Sequence, residues 1–157
     1  MKNIRWLICL DCDGVLTDYK CYFNEAGRHF KVFNSKDSYA IKKLLKLGHL
    51  VYVISSDIDS INFVRSRSKS WGIESIASNK KLDSVRKLKS DNNNLFDKVC
   101  FVGNGPEDLE VLSEIDIFLA PKDSRPEIFI TNNDKVKILD VLGGDGVLDK
   151  VMLALSL

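Results

Sequence analysis

The sequence predicts an α/β fold, a Rossmann-like three-layer sandwich whose central parallel sheet carries helices on both faces. Three observations predict it. Short apolar runs alternate with stretches of helical period, the pattern of strands joined by crossover helices. The runs are apolar nearly throughout, as strands buried on both faces are. Polar residues able to do chemistry follow them, at the sheet edge where open parallel sheets collect ligands.

The elements follow in order. "IRWLICL" (4–10) reads as the first buried strand. "KCYFNEAGRHFKVF" (20–33) breaks the alternation: two short β-like runs surround "NEAG", a hairpin inserted at about 19–33. "SKDSYAIKKLLKLG" sets Ile41, Leu44 and Leu45 on one helical face, with Ser35 as its N-cap and Gly48 as its stop. "LVYVIS" (50–55) is the next strand. "DSINFVRSRSKSWG" is a helix with Ile61, Val64 and Trp71 inward, ended by Gly72. "IESIA" (73–77) is a short strand, and "KLDSVRKLKS" a helix facing inward through Leu82, Val85 and Leu88. "KVCFVG" (98–103) and "DIFLA" (116–120) are strands, and between them Pro106 opens the helix "PEDLEVLSEI".

The 157 residues make one domain, 1–157, with no linker or repeat. A net charge of +1 supplies no global field to recruit nucleic acid or a membrane surface. No run approaches the ~20 apolar residues of a membrane span, and the first residues lack a signal-peptide cleavage site, so a cytoplasmic protein is expected. "CLDC" matches C-x-x-C, but Cys9 and Cys12 fall at odd spacing and point to opposite faces. With no second Cys or His pair to complete a zinc set, they read as core and loop thiols. His29 and His49, in the hairpin and before a strand, are given no catalytic role.

The chemistry lies after the strands. The first is followed by Asp11-Cys12-Asp13-Gly14, the next by Ser55-Ser56-Asp57, and the run at 98–102 by Gly103-Asn104-Gly105-Pro106-Glu107-Asp108. Lys80-Lys81 opens the helix after "IESIA". That set suits phosphoryl transfer through an aspartyl phosphate. One carboxylate can attack phosphorus, and a second two residues on is placed to protonate the leaving oxygen. Mg²⁺ takes oxygen ligands of this kind. A hydroxyl and an ammonium would hold the phosphoryl oxygens, and a glycine lets the backbone approach them.

"DCDGVLTD" resembles the first motif of the haloacid-dehalogenase (HAD) phosphatases, D-x-D-G-V-x-T-D, and the likeness covers nearly the whole chain. It is closest to the small capless branch acting on eight- and nine-carbon keto-sugar acid phosphates. That branch has the hairpin, a stretch like "VFNSKDSYAIKKL", a "KKL" pair and a tail like "GGDGV". The resemblance implies Asp11 as nucleophile, Asp13 as general acid/base, and Gly14, Ser55 and Lys81 (Lys80 as fallback) at the phosphate. It implies Mg²⁺ held by Asp11, Asp13, Asn104 and Asp108. It also implies a homotetramer whose hairpins join, a neighbouring subunit covering the site.

Three departures bear on function. Asn104 stands where the family has an acid, bringing an amide oxygen without charge. Asp57 stands where octulosonate phosphatases have Arg and nine-carbon relatives Glu; with "FNSKDS" it favours a nonulosonate (sialic-acid-type) 9-phosphate, though Asp57 could equally cap the next helix. The tail lacks the arginine many relatives carry after the glycines. The alternatives are an octulosonate 8-phosphate phosphatase, or a non-catalytic oligomerisation module like those fused to CMP-sugar synthetases. A receiver domain phosphorylated on Asp57 fails, because receivers place adjacent acids and lack the hairpin.

Overall fold

The computed structural model describes residues 4–157, apart from the side chains of Arg28 and His29; His29, set aside above, thus falls outside the described side chains. Eight strands form: β1 (Trp6–Leu10), β2 (Tyr22–Asn24), β3 (Gly27–Phe30), β4 (Leu50–Ser55), β5 (Glu74–Ala77), β6 (Lys98–Val102), β7 (Ile117–Pro121) and β8 (Val136–Leu139). The α-helices are α1 (Ser35–Lys46), α2 (Ile61–Trp71), α3 (Lys81–Asp91), α4 (Pro126–Ile130) and α5 (Val147–Ala154), with a 3-10 helix at Pro106–Ser113.

Six strands pair in parallel in the order β5-β4-β1-β6-β7-β8. The chain works outward from β1 to β5, then crosses to β6 on the other side of β1. The crevice beyond the carboxyl ends of β1 and β6 is therefore the switch point at which such sheets bind ligands. β1 is wholly buried because both faces are covered. On one face Ile8, Leu10 and Val53 pack with Ile41 and Leu44 of α1, Val64 and Trp71 of α2 and Val147 and Val151 of α5. On the other, Leu7, Cys9, Phe101 and Phe118 pack with Val85 and Leu88 of α3 and Ile128 of α4. Cys12 belongs to the first cluster and Cys9 to the second, the opposite orientation their spacing predicts. All four cysteines are free thiols.

β2 and β3 form the hairpin, a separate two-stranded sheet. Asn24 accepts from the Ala26 N–H, and Gly27 turns the chain at φ +106. Rings of Tyr22 and Phe30 stack at 4.9 Å. Among the described residues no cap domain stands over the sheet, and no helix is long and apolar enough to cross a membrane.

Several local expectations are corrected. Asn34, not Ser35, caps α1: its side chain accepts from the Lys36 N–H, while its amide donates to the Gly144 carbonyl. Residues 106–113 wind as a 3-10 helix although Pro106 opens it. Leu82 is half-buried, and α3 turns Lys81, Ser84, Val85 and Leu88 inward. β8, α4 and α5 extend the fold beyond the elements the apolar runs suggested. His49 is structural: its Nδ1 accepts the Trp6 N–H at 3.1 Å, and burial lowers its pKa.

Candidate active site

The loop after β1 is wound tightly on itself. The Cys12 carbonyl accepts from the N–H groups of Val15, Leu16 and Thr17. This bends the backbone so that Asp11 and Asp13 remain at the sheet's edge. Gly14 sits at φ +86, and a Cβ there would lie 2.0 Å from Asn104 Nδ2. The glycine tail braces the loop from outside: the Gly144 N–H donates to the Val15 carbonyl, and a Cβ on Gly143 would meet the Gly14 carbonyl oxygen at 2.2 Å. "GGDG" thus acts first on the loop that carries the carboxylates.

Lys81 is the buried cation of the site, 1% exposed. Its Nζ donates to Asp11 Oδ1 at 2.8 Å and to Asp108 Oδ1 at 2.5 Å. Lys80 is exposed, so of the pair it is Lys81 that reaches Asp11. Burial opposes the charge on Lys81, but the two carboxylates outweigh it and raise its pKa. Asp108 is fully buried, and its other oxygen accepts from the N–H groups of Asn104 and Gly105 at 2.9 and 3.0 Å. Asp108, expected on a metal, uses one oxygen to hold Lys81 and the other to fold the loop after β6.

Asp11 feels opposing influences. Burial pushes its carboxyl up, Asp108 adds to that, and Lys81 with the Cys12 N–H pulls it back; the balance leaves it at about 7. An uncoordinated Asp11 would therefore be partly protonated at neutral pH, and a cation beside its second oxygen would favour the ionised form.

Asn104 tests whether a metal fits. The inward end of its amide lies 3.1 Å from Asp11 Oδ2 and 2.9 Å from the Asp13 backbone carbonyl oxygen. With nitrogen inward it donates to both. With oxygen inward, the amide, the Asp11 carboxylate and the Asp13 carbonyl bring three oxygens close together, an arrangement that suits a hard cation. The donor set therefore fits Mg²⁺ through a carboxylate, a carbonyl and an amide oxygen. Among the described residues no three His, Cys, Asp or Glu side chains group into a metal site, here or elsewhere; the set at this point is one carboxylate with two neutral oxygens.

The carboxylate of Asp13 turns away from this point. Lys31 Nζ donates to its two oxygens at 2.5 and 2.6 Å, and the Thr17 hydroxyl donates to Oδ1 at 3.3 Å. Lys31 also donates to Asp57 Oδ2 at 3.1 Å, and its pKa is raised because these contacts outweigh its burial. Asp57 meanwhile accepts from the Ser60 N–H and hydroxyl, next to the start of α2. Asp57 closes the turn before α2, whose N-cap is Ser60, and also faces the cavity. Ser55 is buried at the end of β4, its hydroxyl accepting from the Asp57 N–H, while Ser56 lines the opening.

A cavity of about 320 Å³ opens above Asp13, walled by Asp57 on the body and by Tyr19, Cys21, Phe30 and Lys31 from the hairpin side. A smaller adjoining one of about 230 Å³ reaches Asp11 and Glu107. Sequence reasoning missed Lys31, Tyr19 and Glu107. A lysine within the apolar end of the hairpin, Phe30-Lys31-Val32-Phe33, was the one available signal. Tyr19 takes a left-handed backbone at φ 64, which nothing in its residue type foretells.

No protein-family model matches the chain. The 3-deoxy-D-manno-octulosonate 8-phosphate phosphatase KdsC of Salmonella typhi is 31% identical over 156 residues, covering 96% of this chain and 78% of that protein. The protein of the same name from Yersinia pestis is 29% identical over 126 residues, 79% of this chain and 66% of its own length. The crystal structure of 3-deoxy-D-manno-octulosonate 8-phosphate phosphatase from Moraxella catarrhalis, with magnesium ion, phosphate ion and KDO, has the same fold. It matches with a TM-score of 0.81 at 20% identity, over 97% of this chain and 85% of that one.

Proposed function

The chain belongs to the KdsC-type 3-deoxy-octulosonate 8-phosphate phosphatase family of the HAD superfamily, and on that premise we propose that it is a Mg²⁺-dependent phosphomonoesterase of keto-deoxy sugar acid phosphates. The observation that carries this reading is the pairing of Asp11 with buried Lys81 on one oxygen and an inward-facing amide and carbonyl at the other.

In this reading Asp11 attacks phosphorus: its oxygen forms the new O–P bond, the bond to the sugar oxygen breaks, and that oxygen takes a proton from Asp13. Water then attacks phosphorus, gives a proton to Asp13, and phosphate leaves Asp11. Lys81 neutralises charge at Asp11 through both steps, with Asp108 keeping it in place. Ser55 and the backbone at Gly14 hold phosphoryl oxygens. Asp11 Oδ2, the Asp13 carbonyl and the Asn104 amide oxygen would hold Mg²⁺, which would supply positive charge to the phosphoryl oxygens.

The octulosonate 8-phosphate is the first substrate to try, since the curated relatives carry that name. The nine-carbon acid remains the second reading, favoured by Asp57 on the cavity wall. Its other support weakens, because the Ser38 hydroxyl accepts from Arg67 and from the Trp71 indole, away from the cavity. The exposed Tyr19, Phe23, Phe30 and Val32 around the hairpin suit coverage by another subunit, and a homotetramer is part of the proposal.

The deciding experiment is phosphate release with Mg²⁺ from the eight- and nine-carbon acid phosphates and neutral sugar phosphates, with Asp11→Asn in parallel. Selective release from one keto acid, abolished in the variant, is expected. No release from any ester at high Mg²⁺ would refute the enzyme reading in favour of an assembly module.

A further inference from the structure

The hairpin hands one side chain to the site that no part of the reaction described above uses. Lys31 follows β3 directly, yet its side chain is 6% exposed and ends among carboxylates from two other segments, Asp13 after β1 and Asp57 after β4. A two-stranded hairpin is marginal alone, so its seating depends on the ties it makes to the body. Besides Lys31, the Tyr22 hydroxyl donates to Asp18 at 3.4 Å. Lys20, the cavity's other lysine, is exposed and paired with Asp18, and so offers no substitute.

We propose that Lys31 is a positioning residue for the acid/base carboxylate: it fixes Asp13 while the site is empty and shifts toward Asp57 when an ester arrives. The inference rests on the phosphatase reading above. While Lys31 holds both oxygens of Asp13, neither can give a proton to a leaving group. Asp57 Oδ2, 3.1 Å from the same ammonium, gives it somewhere to go without leaving the cavity. Asp57 is itself held by the Ser60 N–H and hydroxyl, so this second acceptor is rigid. Once Lys31 has moved off, Asp13 takes up a proton from solvent. When the ester bond breaks it passes that proton to the departing oxygen, and the ammonium remains near enough to return to the carboxylate so formed. Hairpin seating and proton transfer are thereby joined in one side chain.

Leaving-group dependence tests this, because a proton donor matters most where the departing oxygen is most basic. Ring-substituted phenyl phosphates vary that basicity and carry no carboxylate that Lys31 could bind instead. The quantity to read is kcat/KM, which reports events only up to ester cleavage. General acid catalysis contributes ~10²–10⁴-fold. Lys31→Met should therefore lose about 10–100-fold on unsubstituted phenyl phosphate and less than about threefold on p-nitrophenyl phosphate, with Lys31→Arg recovering most of the difference. A parallel loss across the series would overturn the proposal, leaving Lys31 a structural tie. Should the Met variant fail to fold, Asp57→Ala makes the same test: deprived of its second acceptor, the ammonium stays on Asp13, and poor leaving groups are again hit selectively. A native protein that releases phosphate from neither a phenyl phosphate nor a keto-deoxy acid phosphate with Mg²⁺ would instead refute the phosphatase reading itself. One that cleaves only the acid phosphate, a poor leaving group, should lose about 10–100-fold in kcat/KM on it with Lys31→Met and recover with Lys31→Arg; absence of that loss would overturn the proposal.

Discussion

Asn104→Asp puts a second carboxylate on the metal point, and its consequences have opposite signs with and without Mg²⁺. The inward end of residue 104 is 3.1 Å from Asp11 Oδ2 and 5% exposed, so little solvent screens what is added there. At an effective dielectric of 20, two unit charges at that separation repel by about 5 kcal/mol. Relaxation, and uptake of a proton by one of the two carboxyls, reduce this to about 1–2 kcal/mol of lost stability in chelator. With Mg²⁺ the same charge becomes an attraction, and each tenfold gain in affinity adds about 1.4 kcal/mol at saturating metal. Urea unfolding in EDTA and across a Mg²⁺ titration measures both. The variant should unfold earlier than the native chain in chelator, later at high Mg²⁺, and the curves should cross. A variant unchanged in chelator, or binding Mg²⁺ no more tightly, would refute the placement of residue 104 beside the metal.

Other outcomes follow from the same geometry. Lys81→Met should destabilise by about 3–5 kcal/mol, since it leaves Asp11 and Asp108 buried and facing each other without their cation. Because Asp11, its carboxyl already raised by burial, is relieved by taking up a proton, the loss should shrink between pH 8 and pH 5.5 in urea titrations, and activity should vanish. Asp37 is a different case: its Oδ1 accepts the Leu148 N–H at 2.9 Å and its buried Oδ2 has no partner among the described residues. Burial, partly offset by that N–H and reinforced by Asp149 and Asp145, pushes the carboxyl up to about 6. A raised acid favours its neutral form in the folded state, so this penalty is absent below pH 4, grows through pH 4–6 and is complete above about 6. Asp37→Asn should therefore stabilise by up to about 3 kcal/mol at pH 7.5, a gain that disappears by pH 4 in thermal melts.

The parts of the fold legible in the sequence are those where burial is uniform. β1, β4 and β6 are apolar because helices cover both faces, and a run such as "WLICL" permits little else. β8 escaped notice because it is an edge strand: Lys137 and Ile138 are exposed, and "VKIL" carries no continuous signal. α5 escaped because the glycine tail preceding it reads as a loop, while its inward residues find their partners on α1. The site divides the same way. Asp11, Asp13 and Asn104 follow strands directly, so placing the strands places them. Lys31 is brought to Asp13 by the path of a hairpin that its own sequence neighbours do not dictate, across 18 residues to one carboxylate and 26 to the other.

That missed lysine changes how Asn104 should be understood. Read from sequence, the replacement of an acid by an amide looks like lost attraction for Mg²⁺. In the folded site the described ammonium groups that pair with Asp11, Asp13, Asp57 and Asp108 are Lys31 and Lys81, and Glu107 opens onto the same cavity as Asp11. Negative charge around the metal point is therefore supplied by several carboxylates besides residue 104. What the amide withholds is local: a charge touching the metal rather than charge in the neighbourhood. An ion attracted by the whole cluster but loosely held by one ligand should exchange readily while still neutralising Asp11, whose burial otherwise keeps its carboxyl near 7. Asn104 is thus compatible with a working nucleophile, and its cost falls on metal affinity before it falls on chemistry.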